Sequence, residues 1–402
     1  MYARTISMLF YMFFTCVIFN PQVKGVTIYL YVMLPLLDPG FASFALATVR
    51  RWALPLAIAV AACLISSPMA AARVVSIAIC VGYLMYTYAR KIDYLHLWMG
   101  INVLFAIVQF ITYYADYSLA VQLGPDEVSK MLWGDSATQT NTNFYEILYF
   151  ARVCGFSREA GFFSSLLAAS FVLYLMQREK TSKFMMTLYW IGLFISLSKA
   201  SAVLGIFAVL YFARRSLRSI HPLVAIGIFT GVMGAIGLYM RAHGFFGVPT
   251  FAHRMGGYPF LLDARFSDLI KGVSTQQLLN DYGYLPYVHM NREVYYVNEV
   301  TFASIPGLII DMGLIPALIL LGVLGFTASD GFVMLMTLLI TATLGPTMVT
   351  SFVPLAYLIC YWPRFSIWLA DARARMPVPQ RMRLLGRLKP APAAPPPWHA
   401  FR

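Results

Sequence analysis

Long apolar runs separated by short polar breaks fill most of the chain, and the runs have the length of membrane spans. Twelve stand out, at about residues 5–20, 26–49, 52–67, 72–89, 94–114, 161–176, 184–198, 200–213, 221–240, 301–326, 331–345 and 349–363. Several are short, and Asp38-Pro39-Gly40 interrupts the second, so the reading admits ten to fourteen spans. Arg4 precedes the first run as it would in a signal peptide. Asn20-Pro21-Gln22 offers no small-x-small cleavage site, so this run is read as a retained span. The expected fold class is all-α, a polytopic transmembrane helical bundle of about 12 spans with two long outer loops.

Composition removes the soluble alternative. Of the 402 residues, 60% are apolar and 12% charged, against about 45–50% and about 25% in soluble domains. That leaves too little polar surface to coat a globule. Cys16, Cys63, Cys80 and Cys360 lie inside apolar runs and only Cys154 in a polar stretch, so the thiols read as packing residues rather than a disulfide framework. The net charge of +13 is spread as small basic groups between apolar runs. This is the layout of loops facing anionic lipid, not of a nucleic-acid-binding face, and no nucleic-acid partner is expected.

With the N-terminus inside, 19 of the 30 Lys and Arg fall on the cytoplasmic side, chiefly in short loops such as Arg50-Arg51, Arg90-Lys91 and Arg214-Arg215 and in the tail. Both termini are then cytoplasmic. Residues 1–114 carry spans one to five, 161–240 spans six to nine, and 301–363 spans ten to twelve. The two long polar stretches, 115–160 and 241–300, lie on the outer face. Residues 364–402 form a basic tail that becomes Pro-rich after Met376, where disorder is expected.

Three segments have the residue types that chemistry needs. Arg152-Val-Cys-Gly-Phe-Ser-Arg158-Glu159-Ala-Gly161 leads straight into the sixth span, where a helix N-terminus reinforces two cations that bind an anion beside a carboxylate base. Its bland counterpart is a helix start with snorkelling arginines. Ser196-Leu-Ser198-Lys199-Ala200-Ser201 puts a lysine in a very short break, either as part of a polar pathway or as a headgroup anchor. The second long loop holds Arg241, His243, His253, Arg254, Asp263, Arg265, Asp268, Lys271, His289, Arg292, Glu293, Asn298 and Glu299. Its tyrosines Tyr258, Tyr282, Tyr284, Tyr287, Tyr295 and Tyr296 read either as sugar-stacking contacts or as an interfacial belt. Metal-ligand spacings and Gly-rich nucleotide loops are absent from the sequence, so no metal and no other cofactor is expected.

In order along the chain, Arg152-x-x-Gly155-Phe-x-x-Glu159-x-Gly161, Leu197-Ser198-Lys199-Ala200-Ser201, Ala264-Arg265-Phe266, Asn298-Glu299 and Ile310-Asp311-Met312-Gly313-Leu314-Ile315 resemble the signatures of the O-antigen polymerase and ligase superfamily (Wzy-type). The resemblance covers roughly residues 152–326. Ligase-like members have an arginine where Lys199 stands and a His-Asn pair near Asn298-Glu299, whereas the nearest histidine here is His289, in His289-Met-Asn291. That departure favours a polymerase over a ligase.

The resemblance implies a GT-C-like, metal-independent glycosyltransferase of the bacterial inner membrane that makes exopolysaccharide or O-antigen-type polymer. A glycan would pass from one polyprenyl-diphosphate carrier to the end of another lipid-linked repeat unit. Donor and acceptor are then lipid-linked oligosaccharides in the bilayer, with a flippase and chain-length or export proteins as further partners. Arg152, Arg158, Arg254, Arg265 and Lys199 are the diphosphate-binding candidates, since forked guanidinium contacts suit paired phosphate oxygens. Arg265 would act on the leaving group. Glu159 and His289 compete as general base, with Glu299 third. Tyr284, Asn298 and Glu299 are assigned to the acceptor glycan. The rivals are a secondary transporter or lipid-linked sugar flippase, and a scaffold subunit of an export complex.

Overall fold

The computed structural model describes residues 2–23, 26–137, 145–147, 150–177, 182–196, 210–292, 301–342, 344 and 347–375. Among these, the chain is helical apart from two antiparallel hairpins of two short strands each, Gln22–Val23 with Val26–Thr27 and Tyr145–Ile147 with Phe150–Arg152. Five helices are long and apolar enough to cross a membrane: Pro68–Ala89, Leu95–Ala115, Ala160–Gln177, Pro222–Ala242 and Phe352–Asp371. A bent pair, Leu30–Leu37 with Pro39–Thr48, raises the number to six if it counts as one span. The protein is a helical membrane protein.

Capping explains several of the boundaries. Ser67 accepts from Ala70 N–H at the start of Pro68–Ala89, and Asp330 accepts from Val333 N–H at the start of Gly331–Thr341. Each satisfies a donor that a helix end leaves open, with special weight where no water can replace it. Asp38 does the same for Gly40 N–H, and it stands where the bent pair turns through 89°.

Three differences from the apolar runs have local causes. Residues 39–66 form one helix through Arg50-Arg51, joining what the run pattern divides into separate spans. Val49-Arg-Arg-Trp52 contains no Gly or Pro, so the backbone has no reason to stop there. The run at 301–326 is instead cut into Ser304–Met312 and Leu314–Thr327 by Gly313, whose φ is +87°. Helical structure also extends through Phe352–Arg375 into the segment assigned to the tail, because Ala, Leu and Arg are good helix formers and no proline follows Pro363 until position 377.

The chain divides into Met1–Trp362 and Pro363–Arg402. In the second, the described residues are helical, and the Phe365 and Trp368 rings stack at 5.8 Å. In the first, burial ranks the helices: 72% of the apolar window of Ala160–Gln177 is inside the protein but only 22% of that of Pro222–Ala242. The former is therefore central. The latter turns Val224, Ile228 and Val232 outward, as a lipid-facing helix does. All five cysteines are free, buried thiols.

The described residues of the two long polar stretches form helices and short strands. The first contains Tyr117–Gln122 and Pro125–Trp133, the latter tied down by Trp133 Nε1–H donating to Phe19 O at 3.0 Å. The second is a chain of short helices, Pro249–Met255, Gly257–Asp263, Phe266–Lys271, Thr275–Tyr282 and Pro286–Arg292. Their inner faces, including Phe260, Leu278, Tyr282 and Val288, share one apolar core with Phe302, Ile305 and Ile310.

Candidate functional site

The segment from Arg152 to Gly161 begins as the outer strand of a hairpin and ends as the first turn of the central helix. Arg152 Nε lies 3.5 Å from Ser196 O, and Val153 N–H donates to Ile195 O at 3.3 Å. The segment is thus laid against the end of Lys183–Ser196, the helix that leads into Leu197-Ser198-Lys199. Lys199 itself lies outside the described residues.

A tight turn follows. Gly155 has φ +56°, and an added Cβ there would collide with Asn102 Oδ1. Any other residue would meet both a left-handed backbone and a steric block. Phe156 stacks flat on Phe105, with centroids 4.0 Å apart. The turn brings Arg158 within electrostatic reach of Tyr29. It leaves Glu159 exposed, with Oε1 folded back over the first turn of Ala160–Gln177 beside Gly161. Cys154 is buried behind it. Desolvation pushes its thiol up to about 12, and the Glu159 carboxylate adds to the shift.

The second group is built on the short helices. Arg265 is exposed at the start of Phe266–Lys271, and its N–H donates to Tyr282 Oη at 3.1 Å. Tyr282 donates in turn to Asp268 Oδ2 at 2.6 Å. On the other side of the Ala264-Arg265-Phe266 turn, Tyr287 donates to Asp263, which also pairs with Arg241 at 2.8 Å. Burial, reinforced by Asp268, holds the Tyr282 phenol above its ordinary range. Burial and then Asp263 do the same to Tyr287. Both hydroxyls therefore stay protonated and donating at neutral pH, and they brace the turn that displays Arg265.

This corrects the reading of the loop tyrosines. Tyr258, Tyr282 and Tyr287 are buried and serve the scaffold rather than a sugar. Tyr284, 77% exposed, is open to a ligand. His289 is exposed on Pro286–Arg292 and Arg254 half-buried on Pro249–Met255. His253 is a structural residue, its ring bonded to Thr301 O at 2.7 Å. Asn298, Glu299, Tyr295 and Tyr296 lie outside the described residues.

The structure therefore gathers Arg152, Arg158 and Glu159 at the head of the central helix, and Arg265 on the braced turn of the second loop. Phe162 packs on Phe352 with centroids 6.0 Å apart, and Ser304 N–H donates to Leu344 O while Ala303 N–H donates to His253 O, next to Arg254.

Lys271 and Gly272 cross closely over Gly313. Val273 N–H donates to Ile310 O at 2.7 Å, and neither Gly272 nor Gly313 has room for a Cβ. Asp311 is exposed beside this crossing, within electrostatic reach of Arg73. Among the described residues no cluster of three or more His, Cys, Asp or Glu side chains fit to hold a metal ion is formed. A small cavity between Leu308, Leu321, Leu338, Thr341 and Tyr357 offers hydroxyls and methyls but no charge, and it lies apart from both groups.

The sequence pattern passed over Asn102 and Gln109, two buried amides on Leu95–Ala115 that hold the Gly155 turn. Their signal was present: amides seven residues apart inside an apolar run share one helix face, and polar groups in such a run are costly without a partner. No protein-family model, curated protein or solved structure matches the chain.

Proposed function

We propose that this chain is an inner-membrane polysaccharide polymerase, a GT-C-like bundle of about 12 spans with cytoplasmic termini. It transfers a glycan from a polyprenyl-diphosphate carrier to a lipid-linked repeat unit at the outer membrane face. The observation that carries the reading is the contact of Arg152, in the first signature, with Ser196, the residue that precedes the second, although the two are 44 residues apart. Arg152, Arg158 and Glu159 then stand at the head of the central helix, against the end of Lys183–Ser196. Cations and a carboxylate at one helix start suit a reaction with a diphosphate leaving group and a hydroxyl nucleophile.

In this reading Arg265 binds the departing diphosphate, with Arg152, Arg158, Arg254 and Lys199 holding the rest of its charge. Glu159 or His289 accepts the proton of the attacking sugar hydroxyl. Tyr284, Asn298 and Glu299 contact the acceptor.

The test is chain growth in liposomes. Purified protein should lengthen a polyprenyl-diphosphate-linked oligosaccharide with no gradient across the bilayer. Arg265→Ala should lower turnover about a hundredfold, by loss of roughly 3 kcal/mol of leaving-group stabilisation, with donor KM little changed. Arg265→Lys should recover only part of this, since one ammonium lacks the fork.

One observation favours a second reading. The bent pair with the buried carboxylate of Asp38 at its corner resembles the discontinuous helices of secondary transporters. A transporter would move lipid-linked units across the bilayer and lengthen none, so the same liposomes separate the two.

A further inference from the structure

We infer that Asn102 and Gln109 are positioning residues: together they form an amide clamp that fixes the Cys154–Glu159 turn and so sets where Arg158 and Glu159 stand at the head of the central helix. The inference rests on the polymerase reading for its catalytic consequence, but not for the clamp itself.

Both amides project from Leu95–Ala115, a helix fit to span the membrane, and both are fully buried. Asn102 Oδ1 accepts from Phe156 N–H at 2.8 Å, and its Nδ2 donates to Thr15 O at 2.9 Å. Gln109 Oε1 accepts from Gly155 N–H at 2.9 Å. Its Nε2 donates to Gly155 O at 3.2 Å and to Leu123 O at 2.7 Å. Successive peptide groups of the turn are thus gripped by two side chains on one helix face. The turn cannot supply these bonds itself, because a left-handed glycine interrupts any regular ladder.

The clamp reaches further than the turn. Phe156 O accepts from Ile18 N–H at 3.1 Å, and Phe19 packs against the Phe156 ring at 5.1 Å. The end of the helix Tyr2–Thr15, the middle of Leu95–Ala115 and the turn therefore meet at one junction. From there the chain needs only Ser157 to reach Arg158. With this little chain between anchor and functional groups, their positions follow the anchor closely. A carboxylate displaced by about 1 Å from its reacting hydroxyl can cost about 10²-fold in rate without weakening binding.

Gln109→Leu and Asn102→Leu keep side-chain size and remove the bonds. Gln109→Glu and Asn102→Asp keep the oxygen that accepts from the turn. The full-length protein in nanodiscs is followed by amide hydrogen exchange over residues 154–158 and by chain extension. Exchange at Gly155 and Phe156 should be at least tenfold faster in the leucine variants. Turnover should fall tenfold or more with donor KM within about twofold of wild type, and the acidic variants should recover part of both.

A leucine variant with faster exchange but full turnover, alongside an inactive Glu159→Gln, overturns the positioning role and leaves the polymerase reading intact. Wild-type protein that extends no chain removes that reading, and exchange then judges the clamp alone: rates unchanged in Gln109→Leu and Asn102→Leu overturn it. If a leucine variant fails to insert, alanine at the same position makes the comparison, and exchange unchanged there counts equally against the clamp.

Discussion

At the scale of single residues, the candidate groups Glu159 and Arg265 are exposed, while Asn102, Gln109, Tyr282 and Tyr287, which hold the turns beside them, are buried. Cys154 lies on the buried side of this divide, with Glu159 on the exposed side of the same turn. A thiol pushed up to about 12 carries only about 10⁻⁴ of its population as thiolate at pH 8. Because the shift is upward, reactivity should rise with pH, about tenfold per unit, until the thiol titrates. Native protein in detergent should therefore resist iodoacetamide at pH 8 while the denatured chain is alkylated at an ordinary cysteine rate. Fast alkylation of Cys154 in the native protein would mean that the turn opens and the burial argument fails. In sequence, Arg158, Glu159 and Arg265 were legible because charge is conspicuous in an apolar chain. Asn102, Gln109, Tyr282 and Tyr287 were not, because their roles depend on partners 14 to 87 residues distant.

At the scale of elements, run length located several spans and Asp38-Pro39-Gly40 marked one break, but the break at Gly313 was missed. Pro222–Ala242, Leu95–Ala115 and Ala160–Gln177 coincide with their runs because composition and helix end together there. Residues 301–326 are apolar throughout, so composition conceals the break. What divides them is the backbone of Gly313, which takes φ +87° to let Lys271–Gly272 pass close over it. Gly313→Ala should then lower stability by about 1–3 kcal/mol through strain at a disallowed φ. The added methyl would also press on Ile270 O. Gly322 provides the contrast, since it lies inside Leu314–Thr327 with open space where a Cβ would go. Gly322→Ala should be neutral or stabilising by about 0.5–1 kcal/mol. Thermal unfolding of both variants in the same detergent checks the pair. Equal midpoints would show that the crossing does not constrain Gly313.

At the scale of the whole molecule, orientation follows from charge and parity from the number of spans. The Lys and Arg bias puts both long loops outside only if an even number of spans separates them. Between Met131 in the first and Tyr284 in the second, the described apolar helices of ten or more residues are Ala160–Gln177, Lys183–Ser196 and Pro222–Ala242. Lys183–Ser196 has only 14 residues, about 21 Å, short of a bilayer core of about 30 Å. The path of the chain over 197–209 therefore decides the parity. If the apolar run at 200–213 is a span of its own, four crossings separate the loops and they share a side. If it merely lengthens the preceding helix, three crossings separate them and they face opposite sides. Met131 and Tyr284 are 86% and 77% exposed, so a cysteine at either position is accessible once its side of the membrane is reached. With the native cysteines replaced, both Met131→Cys and Tyr284→Cys should react with an impermeant maleimide added outside intact spheroplasts. If both stay silent until lysis, the orientation is inverted while the parity holds. If only one is silent, an odd number of crossings separates the loops. Arg265 and Glu159 would then face opposite compartments and could not serve one reaction.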